Sequence, residues 1–303
     1  MLQGIIDIGS TSIRLAIYLI DGGHIEQIMK RKHTVGLASY IEDGEMSSYG
    51  IDKATDILLE FKNFLQQFDI KAVRAFATAA LRNVRNSREA VGEIERRTGI
   101  SIQVISGDEE AYYDFVGATH NLSQTEGLLV DIGGGSTEIV SYQHSQIMAK
   151  ISLPIGSLAF YKHYVAGLLP TVAETIRMGE VAEKALVELE DFQTAASLPV
   201  VGIGGTFKAA SALYNGLFGQ PGSNNRIQVN RLLAIIGHFQ SDHGISEEMS
   251  IMLMRTAPDR IHTVIPGLVI ATALARRFAV QTITYSDSGV REGFIYSEIV
   301  DRA

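Results

Sequence analysis

Hydrophobic positions in this chain repeat with a period of two in some segments and with helical spacing in others. Apolar, β-branched runs predict three consecutive strands over residues 2–8, 12–20 and 24–32. Apolar residues three and four positions apart predict a helix over residues 52–68. Three further strands are predicted within residues 128–152, so the opening of the chain recurs near its middle. The pattern therefore indicates a duplicated α/β architecture.

The other predicted elements continue the alternation of strands with helices. Strands are predicted over residues 73–77, 100–105 and 282–285, and helices over 87–98, 107–119, 171–190 and 228–240. A polar stretch from His120 to Gly127 separates the two halves. The chain is therefore expected to form two domains, residues 1–120 and residues 121–303, as its length also suggests.

One sequence motif occurs twice, once in each half of the chain. An apolar run leads to Asp7-Ile-Gly in the first copy and to Asp131-Ile-Gly in the second, and small hydroxylated residues and another apolar run follow. A strand that enters a tight glycine-containing turn and returns as a strand can direct successive N–H groups at an anion. The predicted phosphate-binding residues of the two hairpins are Gly9, Ser10, Thr11, Ser12, Gly133, Gly134, Gly135, Ser136 and Thr137. Two such hairpins imply two related domains that face each other across a phosphate-binding cleft.

Other interpretations of these glycines fit less well. A dinucleotide-binding motif needs its glycines to open a helix, whereas β-branched residues resume here at once. A Walker A loop needs a Gly-Lys pair, and the chain contains none. The remaining alternative is two ordinary hairpin turns, which is improbable for two copies in matched contexts.

A third glycine-rich turn follows the apolar run that begins at Val200. Gly205, Thr206 and Lys208 lie where a strand is expected to give way to a helix, whose N-terminus would suit an anion. The alternative is a helix start that Thr206 caps, and the sequence favours neither interpretation.

Several carboxylates are placed where phosphoryl transfer could use them. Asp108, Glu109 and Glu110 open the helix predicted over 107–119, and charge at a helix N-terminus is by itself a sufficient explanation. The triplet nevertheless precedes the second hairpin and follows a strand, so Glu110 could orient an attacking water. The predicted ligands of a Mg²⁺ ion are Asp7, Asp131 and Glu138.

The composition restricts the class of protein. The net charge of −8 argues against a nucleic-acid-binding protein, so positive charge for a polyanion must be local; candidates are Arg82, Arg85, Arg88, Lys208 and Arg291. The chain has no cysteine, which is compatible with a reducing cytoplasm. The longest apolar run, residues 264–275, contains a proline and is too short to cross a membrane. We expect a cytoplasmic protein without a membrane partner.

The ordered set of motifs resembles the exopolyphosphatase / guanosine pentaphosphate phosphohydrolase family of the actin–sugar kinase–Hsp70 superfamily. The motifs are Asp7-Ile-Gly-Ser-Thr-Ser, Ala77-Thr-Ala-Ala-Leu-Arg82, Ile105-Ser-Gly-Asp-Glu-Glu110-Ala, Asp131-Ile-Gly-Gly-Gly-Ser-Thr-Glu138, Leu153-Pro-Ile-Gly-Ser157, Gly204-Gly-Thr-Phe-Lys208 and Ser286-Asp-Ser-Gly-Val-Arg-Glu-Gly293. The resemblance covers nearly the whole chain. It implies a fold of duplicated ribonuclease-H-like (actin-like ATPase) domains with an interdomain cleft, the last helix packing back on the first domain.

The resemblance also implies roles for particular residues. Glu110 matches the general base, Arg82 a phosphate-contacting arginine, Asp131 and Glu138 the acidic pair near the metal, and Ser136 the phosphate loop. The implied reaction is Mg²⁺-assisted hydrolysis of a terminal phosphate, with a monovalent cation as a further candidate cofactor and a homodimer as a plausible assembly. Inorganic polyphosphate is the first expected substrate and guanosine pentaphosphate the second.

The chain departs from the family pattern at two places. Lys32-His-Thr34-Val-Gly stands where Val-Arg-Leu-Gly-like residues are usual, and Arg260-Ile-His262 stands where Arg-Ala-Asp is frequent. Both departures bear on substrate specificity and leave the catalytic set intact. Longer members carry an additional helical C-terminal domain, and this chain resembles the short two-domain members.

Three other functions remain open from the sequence. A small-molecule kinase of the same superfamily would need an acceptor other than water. A non-catalytic polyphosphate or nucleotide sensor would bind without turnover, and an actin-like protein would assemble into filaments. A general base at Glu110 argues against all three.

Overall fold

The computed structural model describes residues 1–120, 124–187, 189, 191–192, 198–240, 242 and 244–301. Its contacts divide the chain into two compact units. Unit one comprises Met1–Glu110 with Glu298–Ala303, and unit two comprises Ala111–Ser297. The division falls inside a helix, whereas the sequence placed the domain boundary after residue 120; residues 121–123 of the polar stretch lie outside the described residues.

Unit one is built on a five-stranded sheet in the order β3-β2-β1-β6-β7. Its strands are β1 (Leu2–Ile8), β2 (Ser12–Asp21), β3 (His24–Thr34), β4 (Ile41–Glu42), β5 (Glu45–Met46), β6 (Val73–Ala77) and β7 (Ile102–Val104). Its helices are α1 (Ser48–Gln67), α2 (Ala79–Arg82) and α3 (Ser87–Thr98), and α4 (Gly107–Thr119) begins in it. Strands β1 to β3 are antiparallel, β1, β6 and β7 are parallel, and β4 and β5 form a separate small ribbon.

The sheet of unit one buries one apolar face under α1 and α3. Helix α1 starts at a Ser47 cap whose hydroxyl accepts a hydrogen bond from Gly50, and it turns Leu58 and Phe61 inwards. These side chains pack against Ile6 and Leu15 of the sheet. Removing this apolar surface from water supplies most of the stability of the unit.

Unit two repeats the arrangement with a six-stranded sheet in the order β10-β9-β8-β11-β13-β12. Its strands are β8 (Gly127–Ile132), β9 (Thr137–Gln143), β10 (Gln146–Leu153), β11 (Val200–Ile203), β12 (Arg226–Gln228) and β13 (Thr282–Tyr285). Its helices are α5 (Ser157–Tyr164), α6 (Val172–Val187), α7 (Gly204–Leu217), α8 (Val229–Phe239), α9 (Glu247–Thr256), α10 (Val264–Arg277) and α11 (Val290–Ile295). As in unit one, three antiparallel strands precede parallel ones.

Helix α10 is the central helix of unit two. Every residue from Val264 to Ala275 is buried, so the longest apolar run of the sequence lies inside a folded core. Pro266 is tolerated because it lies in the first turn, where its missing N–H would have no intrahelical acceptor. Among the described residues, no helix is long and apolar enough to cross a membrane.

The shared strand order confirms the predicted α/β class and the duplication of ribonuclease-H-like domains. The predicted bounds of β1 to β3 agree within a few residues, the three strands predicted within residues 128–152 are present as β8 to β10, and the bounds of α3 and α4 agree fully. The helix predicted over 171–190 ends at Val187, and residues 188 and 190 lie outside the described residues. Helices α2, α5, α9 and α10 were not predicted. The cleft between the domains stays a prediction.

Candidate phosphate-binding site

The first hairpin turn, residues 9–12, is called loop one and lies between β1 and β2. The N–H of Gly9 donates to the carbonyl of Ser12 at 3.1 Å and closes the turn. The carbonyl of Ser10 accepts from the N–H of Ala38 at 3.0 Å, and that of Thr11 accepts from Val35 and Gly36 at 3.1 and 2.9 Å. The segment after β3 therefore holds the carbonyls of loop one.

This anchoring fixes where the N–H groups of loop one point. All peptide bonds in the described chain are trans, and a trans peptide places its C=O and N–H on opposite sides. The carbonyls of Ser10 and Thr11 face the segment after β3, so the next N–H groups, those of Thr11 and Ser12, point the other way. Two adjacent N–H groups with this orientation can converge on one anion.

The second hairpin turn, residues 133–136, is called loop two. It closes with the equivalent hydrogen bond, but its anchored carbonyls belong to its first and second residues, not to its second and third. Gly133 donates its N–H to the carbonyl of Ser136 at 2.9 Å. The carbonyl of Gly133 accepts from the N–H and the hydroxyl of Ser157 at 2.9 and 3.0 Å, and that of Gly134 accepts from the first turn of α5. The N–H groups of Gly134 and Gly135 therefore point away from α5.

The two hairpins carry different side chains in the row beside each loop. Strand pairing aligns Asp7 with Arg14 and Arg14 with Lys32, a set called row one. It aligns Asp131 with Glu138 and Glu138 with Ser152, a set called row two. Residues paired directly across antiparallel strands project from the same face of a sheet. Row one is therefore mainly cationic, and row two is acidic.

Hydrogen bonds and an ion pair order both rows. Arg14 Nη1 lies 3.6 Å from Asp7 Oδ2, and Arg14 Nε donates to the hydroxyl of Ser12 at 3.0 Å. In row two, the Ser152 hydroxyl donates to Glu138 Oε1 at 2.7 Å. Asp7 and Glu138 are both buried. Arg14, which the sequence analysis did not identify, ties the carboxylate of Asp7 to the first loop.

Helix α7 begins directly against Asp131. Gly204 has a φ of +76°, and a Cβ at this position would overlap the Asp131 carboxylate. Only glycine satisfies both the left-handed backbone and the close approach. The turn after β11 thus reaches the acidic row, whereas the anion site expected at this turn stays a prediction.

Thr206 does not cap α7, so that interpretation is wrong. The helix begins at Gly204, and the buried Thr206 hydroxyl donates to the carbonyl of Ile132 at 2.6 Å. Thr206 thereby joins α7 to the end of β8. The buried guanidinium of Arg260 packs directly against Gly205, so closely that a Cβ at this position would overlap it. Lys208 lies 3.3 Å from Asp287, which also accepts a hydrogen bond from the Tyr285 hydroxyl.

Glu110 and Arg82 form a largely buried ion pair in unit one. Arg82 Nη1 donates to Glu110 Oε2 at 2.6 Å, and the two side chains are 14% and 12% exposed. Arg82 also reaches the carbonyl of Ile105 at 3.3 Å. The guanidinium thus holds one oxygen of the Glu110 carboxylate in a charge-assisted hydrogen bond.

Each unit gathers its candidate residues at one edge of its sheet. In unit one, loop one follows β1, Arg82 follows β6 and Glu110 follows β7, and these three strands are parallel. In unit two, loop two follows β8 and Gly204 follows β11, its parallel neighbour. The carboxyl ends of such strands are where open α/β sheets place ligands. Arg85 and Arg88 are not among these residues: Arg85 contacts the carbonyl of Asp43.

The acidic row fits a magnesium ion better than a metal with many protein ligands. Within the described residues, no group of three or more His, Cys, Asp or Glu side chains has the geometry of a metal site. Asp131 and Glu138 supply hard oxygen donors from adjacent strands. Mg²⁺ usually takes one or two carboxylates and completes its shell with waters and phosphate oxygens. Asp7 contacts Arg14, so its carboxylate already has a cationic partner.

The two departures from the family pattern lie at the margins of these sites. Thr34 ends β3 and pairs with Ser12 of loop one. His262 is exposed, and its ring packs edge-on against Tyr161 with 5.0 Å between the ring centroids. Burial raises the pKa of Tyr161. Neither residue alters the hydrogen bonds that shape the two loops.

The duplicated α/β units, each with a glycine turn at the carboxyl end of its central strand, define the class of fold. The chain belongs to the Ppx/GppA phosphatase family, whose sequence profile matches residues 16–301.

Two curated relatives are similar over almost all of this chain. A guanosine-5'-triphosphate,3'-diphosphate pyrophosphatase of Aeromonas hydrophila is 29% identical over 97% of the chain, which spans 59% of that relative's length. A Haemophilus influenzae protein named as a proposed exopolyphosphatase is 28% identical over 96% of the chain and 90% of its own length.

Solved structures agree with this assignment. The Ppx/GppA family member of Aquifex aeolicus superposes with a TM-score of 0.78 at 27% identity and covers 100% of this chain and 98% of its own. An exopolyphosphatase of Cytophaga hutchinsonii superposes with a TM-score of 0.86 at 22% identity over 99% and 98% of the two chains, which shows the shared fold.

Proposed function

We propose that this protein is a Mg²⁺-dependent hydrolase that removes the terminal phosphate from inorganic polyphosphate. The observation that carries the proposal is the ion pair of Glu110 and Arg82 at the sheet edge where loop one lies. Phosphoryl transfer to water needs a base, a cationic group for the phosphate and a cradle for its oxygens. The Glu110 carboxylate, the Arg82 guanidinium and the outward-facing N–H groups of loop one can meet these three needs.

The loops bind and orient phosphate oxygens in this proposal. The N–H groups of Thr11 and Ser12 serve one phosphate, and those of Gly134 and Gly135 serve another, because their peptide carbonyls are held on the opposite side. Preorganised N–H donors need no rearrangement when charge develops on phosphate oxygens, which favours the transition state.

In this proposal Glu110 is the general base, and Arg82 exchanges its contact with Glu110 for a contact with the phosphate. In the structure, Arg82 donates to Glu110. A phosphate oxygen also accepts charge-assisted hydrogen bonds, so it can compete with the Glu110 carboxylate for the guanidinium. When Arg82 contacts phosphate, Glu110 can accept a proton from the attacking water. Hydrolysis then breaks the terminal phosphoanhydride bond and releases inorganic phosphate.

Asp131 and Glu138 would hold the magnesium ion. A bound Mg²⁺ ion supplies charge neutralisation of the phosphate oxygens. Ser152 orients Glu138 through its hydroxyl, and Gly204 leaves room for the Asp131 carboxylate. Asp7 acts through Arg14 at the phosphate, which differs from its predicted role as a metal ligand.

Guanosine pentaphosphate is the second candidate substrate. The Aeromonas relative, named for that activity, is 29% identical over 97% of this chain. Both substrates end in a chain of phosphoanhydride-linked phosphates, so the same loops and base would serve either. A cytoplasmic location, a monovalent cation and a homodimer belong to the same proposal.

The test is phosphate release by the purified protein with Mg²⁺, with polyphosphate and guanosine pentaphosphate offered separately. Glu110→Gln should lower turnover by about 10²- to 10⁴-fold while keeping substrate affinity, which is the usual contribution of a general base. The matched control is Glu109→Gln in the same helical turn, whose carboxylate accepts from the N–H of Ser106 at 2.7 Å and not from Arg82.

Each outcome discriminates between the candidate functions. Loss of turnover in Glu110→Gln with normal turnover in Glu109→Gln would support hydrolysis with Glu110 as base, and the faster substrate would define the specificity. Wild-type protein that binds polyphosphate but releases no phosphate would overturn the proposal in favour of a sensor. Phosphate transfer to an added acceptor would favour a kinase, and nucleotide-dependent sedimentation would favour a filament protein.

A further inference from the structure

The first turn of α5 contacts loop two in a way that the hairpin itself does not require. The first N–H groups of a helix have no acceptor within the helix. In α5, those of Ser157, Leu158 and Ala159 all donate to loop two, at 2.9, 3.0 and 2.9 Å. The acceptors are the carbonyls of Gly133 and Gly134. Loop two is therefore the cap of α5, and α5 in return holds loop two.

Ser157 makes the most specific contribution to this contact. Its hydroxyl adds a second hydrogen bond to the Gly133 carbonyl at 3.0 Å, beside the one from its own N–H. Ser157 is fully buried, so the hydroxyl does not exchange this carbonyl for water. Gly156 allows the approach, because a Cβ there would lie 2.5 Å from the backbone of Gly134 and Gly135.

We propose that Ser157 is a positioning residue that sets the affinity of loop two for phosphate. It acts on the carbonyl side of the loop, opposite the N–H groups that would face the phosphate. The proposal rests on the proposed function, because it assigns phosphate to the N–H groups of this loop. The hydroxyl fixes the Gly133 carbonyl, and the planar trans peptide then fixes the N–H of Gly134 on the opposite side. A carbonyl that accepts two hydrogen bonds is also more polarised, which makes the N–H of the same peptide a stronger donor.

The experiment measures the affinity of the full chain for inorganic tripolyphosphate by calorimetry, together with thermal unfolding and phosphate release. Ser157→Ala removes one hydrogen bond to loop two and should weaken tripolyphosphate binding about fivefold. The matched control is Ser211→Ala, since Ser211 is another buried serine of unit two whose hydroxyl donates to a carbonyl, that of Asn224 at 3.2 Å.

The control separates positioning from stability. Both variants should lower the unfolding temperature by similar amounts, and only Ser157→Ala should weaken tripolyphosphate binding and raise KM. Gly156→Ala, whose Cβ would displace Gly134, should weaken binding at least tenfold.

Equal affinities of Ser157→Ala and Ser211→Ala would overturn the positioning role even if the wild-type protein is an active hydrolase. Wild-type protein that binds tripolyphosphate without hydrolysing it would overturn the proposed function and still allow the affinities to test Ser157. Wild-type protein that does not bind tripolyphosphate would overturn both.

Discussion

Loop one and loop two are closed by the same hydrogen bond and have opposite charge beside them. Their anchored carbonyls are offset by one residue: those of the second and third residues in loop one, and of the first and second in loop two. In each, the glycine after Asp-Ile closes the turn with its N–H, and the segment after the third strand holds two loop carbonyls. Beside loop one the aligned side chains are Asp7, Arg14 and Lys32, whereas beside loop two they are Asp131, Glu138 and Ser152.

The comparison shows which part of a duplicated hairpin is free to change. The carbonyl anchors determine the direction of the N–H groups, so any anion-binding loop of this type must keep them. The residue paired with the aspartate, Arg14 in unit one and Glu138 in unit two, only has to complement the charge of the group that binds beside it. Arginine suits a phosphate directly, and a second carboxylate suits a phosphate only through a cation. Under the proposed function, unit one therefore supplies positive charge and unit two holds the metal.

Among variants that compare the two loops, the largest expected effect comes from removing charge in the acidic row. Glu138→Gln keeps the acceptor for Ser152 but removes one metal-binding charge, so activity at limiting Mg²⁺ should fall about a hundredfold, or roughly 3 kcal/mol of barrier. Raising the Mg²⁺ concentration should restore part of it. The measurement is turnover against Mg²⁺ concentration, and an unchanged Mg²⁺ dependence would remove Glu138 from the metal site.

Gly204→Ala tests the close approach of the α7 N-terminus to Asp131, the aspartate of the second hairpin. The new Cβ meets the Asp131 carboxylate, and alanine at a φ of +76° is strained by about 1 kcal/mol. We expect a lower unfolding temperature and about tenfold weaker Mg²⁺ activation, since the carboxylate must move. Gly219→Ala is the control, because φ is also positive there and nothing lies within 4 Å of the added Cβ. Equal Mg²⁺ activation in the two variants would argue against the contact.

Arg14→Gln tests the cationic row. Glutamine cannot neutralise Asp7, which would leave that buried carboxylate near the phosphate. Polyphosphate affinity should fall about three- to tenfold, a loss of roughly 1 kcal/mol that is the typical net contribution of one hydrogen bond. The Mg²⁺ dependence should stay that of the wild type. A changed Mg²⁺ dependence in this variant would contradict the division of roles between the rows.

The smallest expected effect lies away from both loops and serves as a reference. Partial burial raises the pKa of Glu174, but hydrogen bonds from the N–H groups of Thr171 and Ala166 outweigh it and lower the pKa. Because the folded pKa is depressed, the stabilisation is present above the unfolded pKa and is lost as pH falls through the folded one. Glu174→Gln should therefore cost roughly 0.5–1 kcal/mol at pH 7 and less below about pH 4, with normal turnover.

The measurement is denaturant unfolding of both proteins at the two pH values. A stability difference that grows on acidification would contradict the sign of this pKa shift.

The sequence was sufficient for the features that repeat locally. Strands β1 to β3 and β8 to β10 follow from β-branched runs, and the duplicated Asp-Ile-Gly turns mark the two loops. Glycine after a periodic segment also located the end of α3, where Gly99 has a φ of +68°.

The sequence was insufficient where the geometry depends on distant pairing. The contact of Arg82 with Glu110 requires β6 and β7 to be neighbours, and the roles of Ser157 and Thr206 require helices packed behind β8. Arg14 did carry a signal, because it is the one charged residue in the apolar run from Ile13 to Leu19. Its partner follows only from the register of β1 with β2.

The most direct test of the account is hydrolysis of a short polyphosphate in water enriched in ¹⁸O, followed by mass analysis of both products. If water activated by Glu110 attacks the terminal phosphorus, each released phosphate should gain one ¹⁸O atom and the shortened chain none. Label in the shortened chain would place the attack on the inner phosphorus, and label in neither product would exclude direct attack of water on phosphorus. Either result would contradict the central claim.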